Sequence, residues 1–115
     1  MIDKASSTPP SSITTTKEQL MPKAYIISCY LEHPDEDRLA KYAGPAKAAF
    51  DAHGGRFVVR ATPSHIFEAG QNMRTIVIEF DSLAQAKAAY ESEEYQRARA
   101  ILGDIQRDVR IVEGV

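Results

Sequence analysis

The chain has no tryptophan, a single cysteine, no surplus of positive charge and no long apolar run. One cysteine, Cys29, rules out an intramolecular disulfide, and its place in an apolar alternating stretch reads as a small core residue and not as a nucleophile. A formal net charge of -2 over 115 residues and a pI near 5.9 argue against nucleic acid, whose phosphates require a basic patch. No stretch reaches the ~18 apolar residues of a membrane span, and the start lacks a signal peptide's apolar centre. A reducing cytoplasm and no membrane partner are therefore expected. Also missing are a phosphate-cradling glycine loop, a nucleophile elbow and a paired-cysteine metal motif. The expectation is no metal and no cofactor.

What is present divides unevenly. Residues 1–20 contain Ser6-Ser7-Thr8-Pro9-Pro10-Ser11-Ser12 and Thr14-Thr15-Thr16, with little to bury against their ordering entropy, and read as a disordered tail. Met21-Pro22-Lys23 reads as a natural start, which makes the tail an extension or a tether. Residues 21–115 are then one domain with one core.

That domain is organised around His53-Gly54-Gly55-Arg56-Phe57-Val58-Val59-Arg60. A glycine pair ends a helix, because glycine adopts the left-handed cap conformation without penalty, and the aromatic and β-branched residues after it start a strand. Strict alternation puts Arg56, Val58 and Arg60 on one face and Phe57 and Val59 on the other. Before this point, residues 23–31 alternate as a strand, with Tyr25, Ile27, Cys29 and Leu31 expected against helices and Ala24, Ile26, Ser28 and Tyr30 facing away. His33-Pro34-Asp35-Glu36-Asp37 opens a helix whose buried stripe is Leu39, Tyr42, Ala46, Ala49, Phe50 and His53. Gly44-Pro45 predicts a kink or short break in it. Downstream, residues 65–69 suggest a short or bulged strand, and residues 73–80 a strong one with Ile76, Ile78 and Phe80 against helices. Ser82 with Gln85 fits a capping box, and Ser92 fits a second cap before a helix carrying Ala98, Ile101, Leu102 and Ile105. Residues 107–113 close as a strand with Val109 and Ile111 on one face.

The order predicts an α+β fold, a ferredoxin-like βαββαβ domain with a four-stranded antiparallel sheet and helices on one face. Its other sheet face, assigned Ile26, Tyr30, Val58, Arg60, Val77 and Glu79, is too apolar to be left in water. A second copy packed sheet to sheet is the expected cover, and the expected partner is the chain itself.

The segments Ala48-Ala49-Phe50-Asp51-Ala52-His53-Gly54-Gly55-Arg56-Phe57-Val58-Val59-Arg60, Arg74-Thr75-Ile76-Val77-Ile78-Glu79-Phe80 and Ser92-Glu93-Glu94-Tyr95-Gln96-Arg97-Ala98-Arg99, with Ile111-Val112-Glu113-Gly114, resemble the family called domain of unknown function 1330. The resemblance covers residues 23–114. It implies a dimeric α+β barrel and no particular reaction, and it places Tyr42, Arg60, Glu68, Arg74, Glu79, Tyr95 and Arg99 at typical family positions. Two departures stand out. Ala61-Thr62-Pro63 replaces a glycine-rich turn, and Gly103 follows Ile101-Leu102 where an arginine is common, which removes a cation from any shared anion site.

The candidate chemistry is a polar cluster of Arg60, Arg74 and Glu79. Arginine clamps a carboxylate or enolate oxygen, and a desolvated glutamate has a raised pKa suited to proton transfer. The competing reading is an ion pair between strands or subunits. Alternation puts Arg74 opposite Glu79 unless a bulge intervenes. In this scheme Glu79 and Arg60 are catalytic, and Tyr30, Tyr42, Arg74, Glu68, Tyr95 and Arg99 bind substrate. For each of these tyrosines core packing is the favoured competing reading. His53 reads as a helix-terminal residue bonded to a carbonyl, and His33 and His65 lack a metal-ligand constellation. Two functions follow: a cofactor-independent enzyme acting by proton transfer on a small anionic or carbonyl-bearing molecule, or a non-catalytic dimeric ligand-binding or stress-associated module.

Overall fold

The computed structural model describes residues 22–115, and the tail expected over residues 1–20 lies outside them. In chain order the elements are β1 (Ala24–Tyr30), α1 (Glu36–Ala52), β2 (Arg56–Ala61), β3 (Thr75–Phe80), α2 (Leu83–Glu91), α3 (Glu93–Ile101) and β4 (Arg107–Glu113). The strands pair antiparallel in the order β2-β3-β1-β4, and the helices cover one face, as the ferredoxin-like reading requires.

Local chemistry sets the helix ends. Asp35 caps α1 by accepting from the backbone N–H groups of Asp37 and Arg38, Ser82 caps α2 by accepting from Gln85, and Ser92 caps α3 by accepting from Tyr95. At the other end of α1, His53 Nδ1 lies 3.0 Å from the Ala49 carbonyl oxygen. Tyr42, Ala46, Ala49 and Phe50 form the buried stripe of α1. The helix runs unbroken through Pro45, contrary to the expected break. Pro45 and Lys41 are both on the exposed side, so the carbonyl that the proline leaves unpaired is open to water.

Three other expectations are corrected by pairing. The helix-facing side of β1 is Ala24, Ile26, Ser28 and Tyr30, all buried, while Tyr25, Ile27 and Cys29 face away. Cross-strand register decides this: Ala24, Ile26 and Ser28 stand opposite Phe80, Ile78 and Ile76, which do face the helices as predicted. Opposed residues share a face. In β2 a bulge inserts Val58, so Arg56 stands opposite Glu79 while Arg60 stands opposite Ile76. The extra residue inverts the alternation, and Arg56 and Arg60 end on opposite faces. No strand forms over residues 65–69. That segment turns through Glu68, whose φ is 52°, with the Gly70 N–H donating to the Phe67 carbonyl.

The glycine pair has two separate causes. Gly54 adopts φ +82°, the left-handed cap conformation, whereas at Gly55 a Cβ would stand 2.7 Å from the Phe80 ring. Replacement of Gly55 by alanine therefore forces overpacking where the chain enters β2. Gly55→Ala is expected to lower stability by about 1–3 kcal/mol, read from denaturant melts. An unchanged midpoint would show that Phe80 and Ile78 move aside freely.

Candidate functional site

The helix face of the sheet carries cations in an order that the register fixes. The Tyr30 N–H donates to the Arg74 carbonyl at 3.0 Å, and Tyr30 stands opposite Arg107. Arg74, the residue before β3, thus forms one row with Tyr30 of β1 and Arg107 of β4. In the adjacent row, Arg60, Ile76, Ser28 and Val109 cross β2, β3, β1 and β4. Above these rows α1 brings Tyr42 and α3 brings Tyr95, with Tyr90 at the end of α2. Between them lies a cavity of about 40 Å³ whose wall includes Tyr30, Tyr42, Tyr95, Arg60, Arg74 and Arg107.

The hydrogen-bonded polar group there is a trio. The hydroxyls of Tyr42 and Tyr95 are 2.8 Å apart, and Arg107 donates to Tyr95 Oη at 3.2 Å and to Tyr42 Oη at 3.4 Å. The guanidinium also lies over the Tyr30 and Tyr42 rings, 5.7 and 5.9 Å from their centroids. Burial pushes the Tyr42 phenol far above its usual range, with the neighbouring Tyr95 adding to the shift, so Tyr42 is a neutral hydrogen-bonding group. Burial works against charge on Arg107, but the oxygens of Tyr95 and Tyr42 outweigh it, and the residue stays a cation. Among the described residues none of Arg60, Arg74 and Arg107 forms an ion pair. The Arg74 Nε and the Ser28 Oγ are enclosed and bond no atom of the described residues. Cationic and neutral donors without a carboxylate make an anion-accepting wall.

The model of the family described as a domain of unknown function, DUF1330, matches residues 23–115. The chain belongs to this family. No functionally curated protein matches it. Among solved structures this DUF1330 chain is similar to a protein of unknown function from Rhodopseudomonas palustris, at 12% identity and TM-score 0.63, with 93% of this chain and 95% of that one covered. It is also similar to SnoaB, a cofactor-independent oxygenase from Streptomyces nogalater, at 10% identity and TM-score 0.57, with 82% and 94% covered. A conserved protein from Methanosarcina mazei Go1 matches at 8% identity and TM-score 0.53, with 83% and 95% covered. These likenesses show the shared fold.

The DUF1330 domain brings five of the eight sequence-derived candidates, Tyr30, Tyr42, Arg60, Arg74 and Tyr95, to one cavity. It does not bring Glu79, Glu68 or Arg99 there. Glu68 is exposed in the loop before β3 and Arg99 on the outer side of α3. Glu79 projects from the opposite sheet face, where Arg56 donates to it at 3.0 and 3.1 Å, Tyr25 donates at 3.1 Å, and Arg56 also reaches Asp81. The expected cluster of Glu79 with Arg60 is thus not formed, because the Val58 bulge turns Arg60 to the other side. Nor is the glutamate's pKa raised: hydrogen bonds from Arg56 and then Tyr25 hold it below the ordinary value. Sequence reasoning passed over Arg107 and Ser28. The signal for Arg107 was present, since it stands two residues before Val109 and therefore on the apolar face of its strand.

A depressed carboxylate stabilises the fold above its ordinary pKa of 4.5 and loses that contribution as pH falls through the lowered native value. Glu79→Gln is expected to make the fall in melting temperature on acidification below that pH shallower, read by thermal melts across the acid range. An acid limb identical to the parent's would remove the ion pair from the account.

Proposed function

We propose that this protein binds a small, flat organic anion in the cavity, seating a carboxylate or enolate oxygen on Tyr42, Tyr95 and Arg107. The observation that carries the reading is a half-buried cation beside paired hydroxyls with no carboxylate partner among the described residues. Aromatic rings of Tyr30, Phe50 and Tyr90 supply flat walls. Proton transfer by Glu79 gains no support, since that carboxylate lies across the sheet and is held by Arg56. Chemistry in this pocket would instead use donors on a developing enolate oxygen. That is the second reading, favoured by the hydroxyl pair fixed at 2.8 Å beside a cation. "Cofactor-independent oxygenase" is the description of the Streptomyces fold neighbour and is compatible with a site built only from side-chain donors.

The direct test is calorimetry with formate and acetate, acids sized to a cavity of about 40 Å³, against their neutral amides. The acids are expected to bind and the amides not. Arg107→Gln is expected to weaken the acids by roughly tenfold or more, the worth of a charged hydrogen bond. Equal binding of acids and amides, or indifference to the substitution, would sink the reading.

The proposal includes a homodimer formed sheet to sheet. Val59, Val77 and Ile27 form one row across β2, β3 and β1 on the face that none of the described helices covers, and Val59 is 43% exposed. An apolar row of this kind is what a second copy would bury. Native mass spectrometry is expected to show a dimer for the parent chain and a monomer for Ile27→Glu. A monomeric parent at micromolar concentration would overturn the pairing.

A further inference from the structure

The tyrosine pair and Arg107 do not account for every polar atom around the cavity. Ser28 is only 5% exposed and lines the cavity, and its Oγ bonds no atom of the described residues. The Arg74 Nε is enclosed in the same condition. These atoms do not make a separate centre. Burial raises the pKa of the Tyr30 phenol, and the charges of Arg107 and Arg74 both work against that rise, so the two guanidinium groups converge around one phenol. Ser28 lies two residues before Tyr30 on the same buried face of β1, opposite Ile76 and Val109, which line the same cavity. A buried hydroxyl and a buried N–H without partners are each costly. Whatever enters the cavity meets both of them together with the trio.

Space limits what that can be. At roughly 10–15 Å³ for each water, a cavity of about 40 Å³ has room for about three waters. That is the bulk of a two-carbon acid carrying one further oxygen.

We propose that the ligand is a small 2-hydroxy acid and that Ser28 is the residue that selects it. This rests on the reading that the cavity binds an organic anion, and it adds the ligand class and a specificity-determining residue. The carboxylate takes Tyr42, Tyr95 and Arg107, and the hydroxyl on the neighbouring carbon meets the Ser28 Oγ and the Arg74 Nε. A hydroxyl suits this pair because it accepts from the arginine N–H and still donates to the serine oxygen, whereas a carboxylate has no proton to donate. An acid of the same shape without the hydroxyl leaves both buried groups unpaired and is rejected for that reason.

Glycolate and propionate make a matched pair of probes, since they share a carboxylate and a size and differ by a hydroxyl in place of a methyl group. Calorimetry on the full chain is expected to show glycolate binding about threefold to tenfold tighter. Apolar burial alone would favour propionate, so the expected order is the reverse of what a merely apolar cavity gives. Ser28→Ala is expected to weaken glycolate until the two acids bind within about twofold of each other. Arg107→Gln is expected to weaken both alike. The comparison of the two acids on the parent chain needs no variant, so it decides the matter even if a substitution in β1 fails to fold. Equal affinities on the parent chain, or a glycolate preference that survives Ser28→Ala, would overturn selection by Ser28. If Arg107→Gln still weakens both acids in that case, the anion reading stands without it. Binding of neither acid would overturn both.

Discussion

Arg107 enters the helix side of the sheet with no carboxylate of the described residues paired to it, and its surroundings are arranged so that the charge is tolerated there. Two phenol oxygens accept from it and two tyrosine rings lie beneath it. Each of those tyrosines comes from a different element, so the cation ties α1, α3, β1 and β4 together around one point. A half-buried charge without a counterion among the described residues carries a desolvation cost, and hydrogen bonds with ring faces offset it only in part. The remainder is what an anionic ligand would relieve.

The two faces of the sheet divide the chain's charges by kind. On the helix face, arginines stand around a cavity without an ion-pair partner among the described residues. On the other face, Glu79 is enclosed by Arg56 and Tyr25 in a row that follows the strand register, and Arg56 bridges on to Asp81. The first arrangement is unsatisfied and suited to binding; the second is satisfied and suited to holding the sheet edge. A glutamate with a depressed pKa at neutral pH is an acceptor with little tendency to take a proton.

Much of the fold was legible along the chain. The serine caps of α2 and α3, the stripe of α1, the helix face of β3 and the Gly54 cap all follow from patterns within a few residues, whereas Gly55 answers to Phe80 on another strand. The candidate site was legible only as a set of residue types. Tyr42, Tyr95 and Arg74 reach the cavity because their positions within a helix or strand fix the side they occupy. Arg60 reaches it from the face opposite to the one that alternation gives, and Glu79 misses it altogether.

Periodicity states which residues of a strand lie together, and by itself the sequence determined that much, along with the order and ends of the elements. It could not decide which of two apolar faces of β1 meets the helices, because Tyr25, Ile27 and Cys29 are as apolar as Ala24, Ile26 and Tyr30. Only pairing with β3 settled that, by placing Ser28 and Ile26 opposite Ile76 and Ile78. The Val58 bulge likewise has no local signature, yet one extra residue reverses every side chain after it. Which arginine meets Glu79 and which meets the cavity is a property of the assembled sheet, since register is a relation between strands distant in sequence.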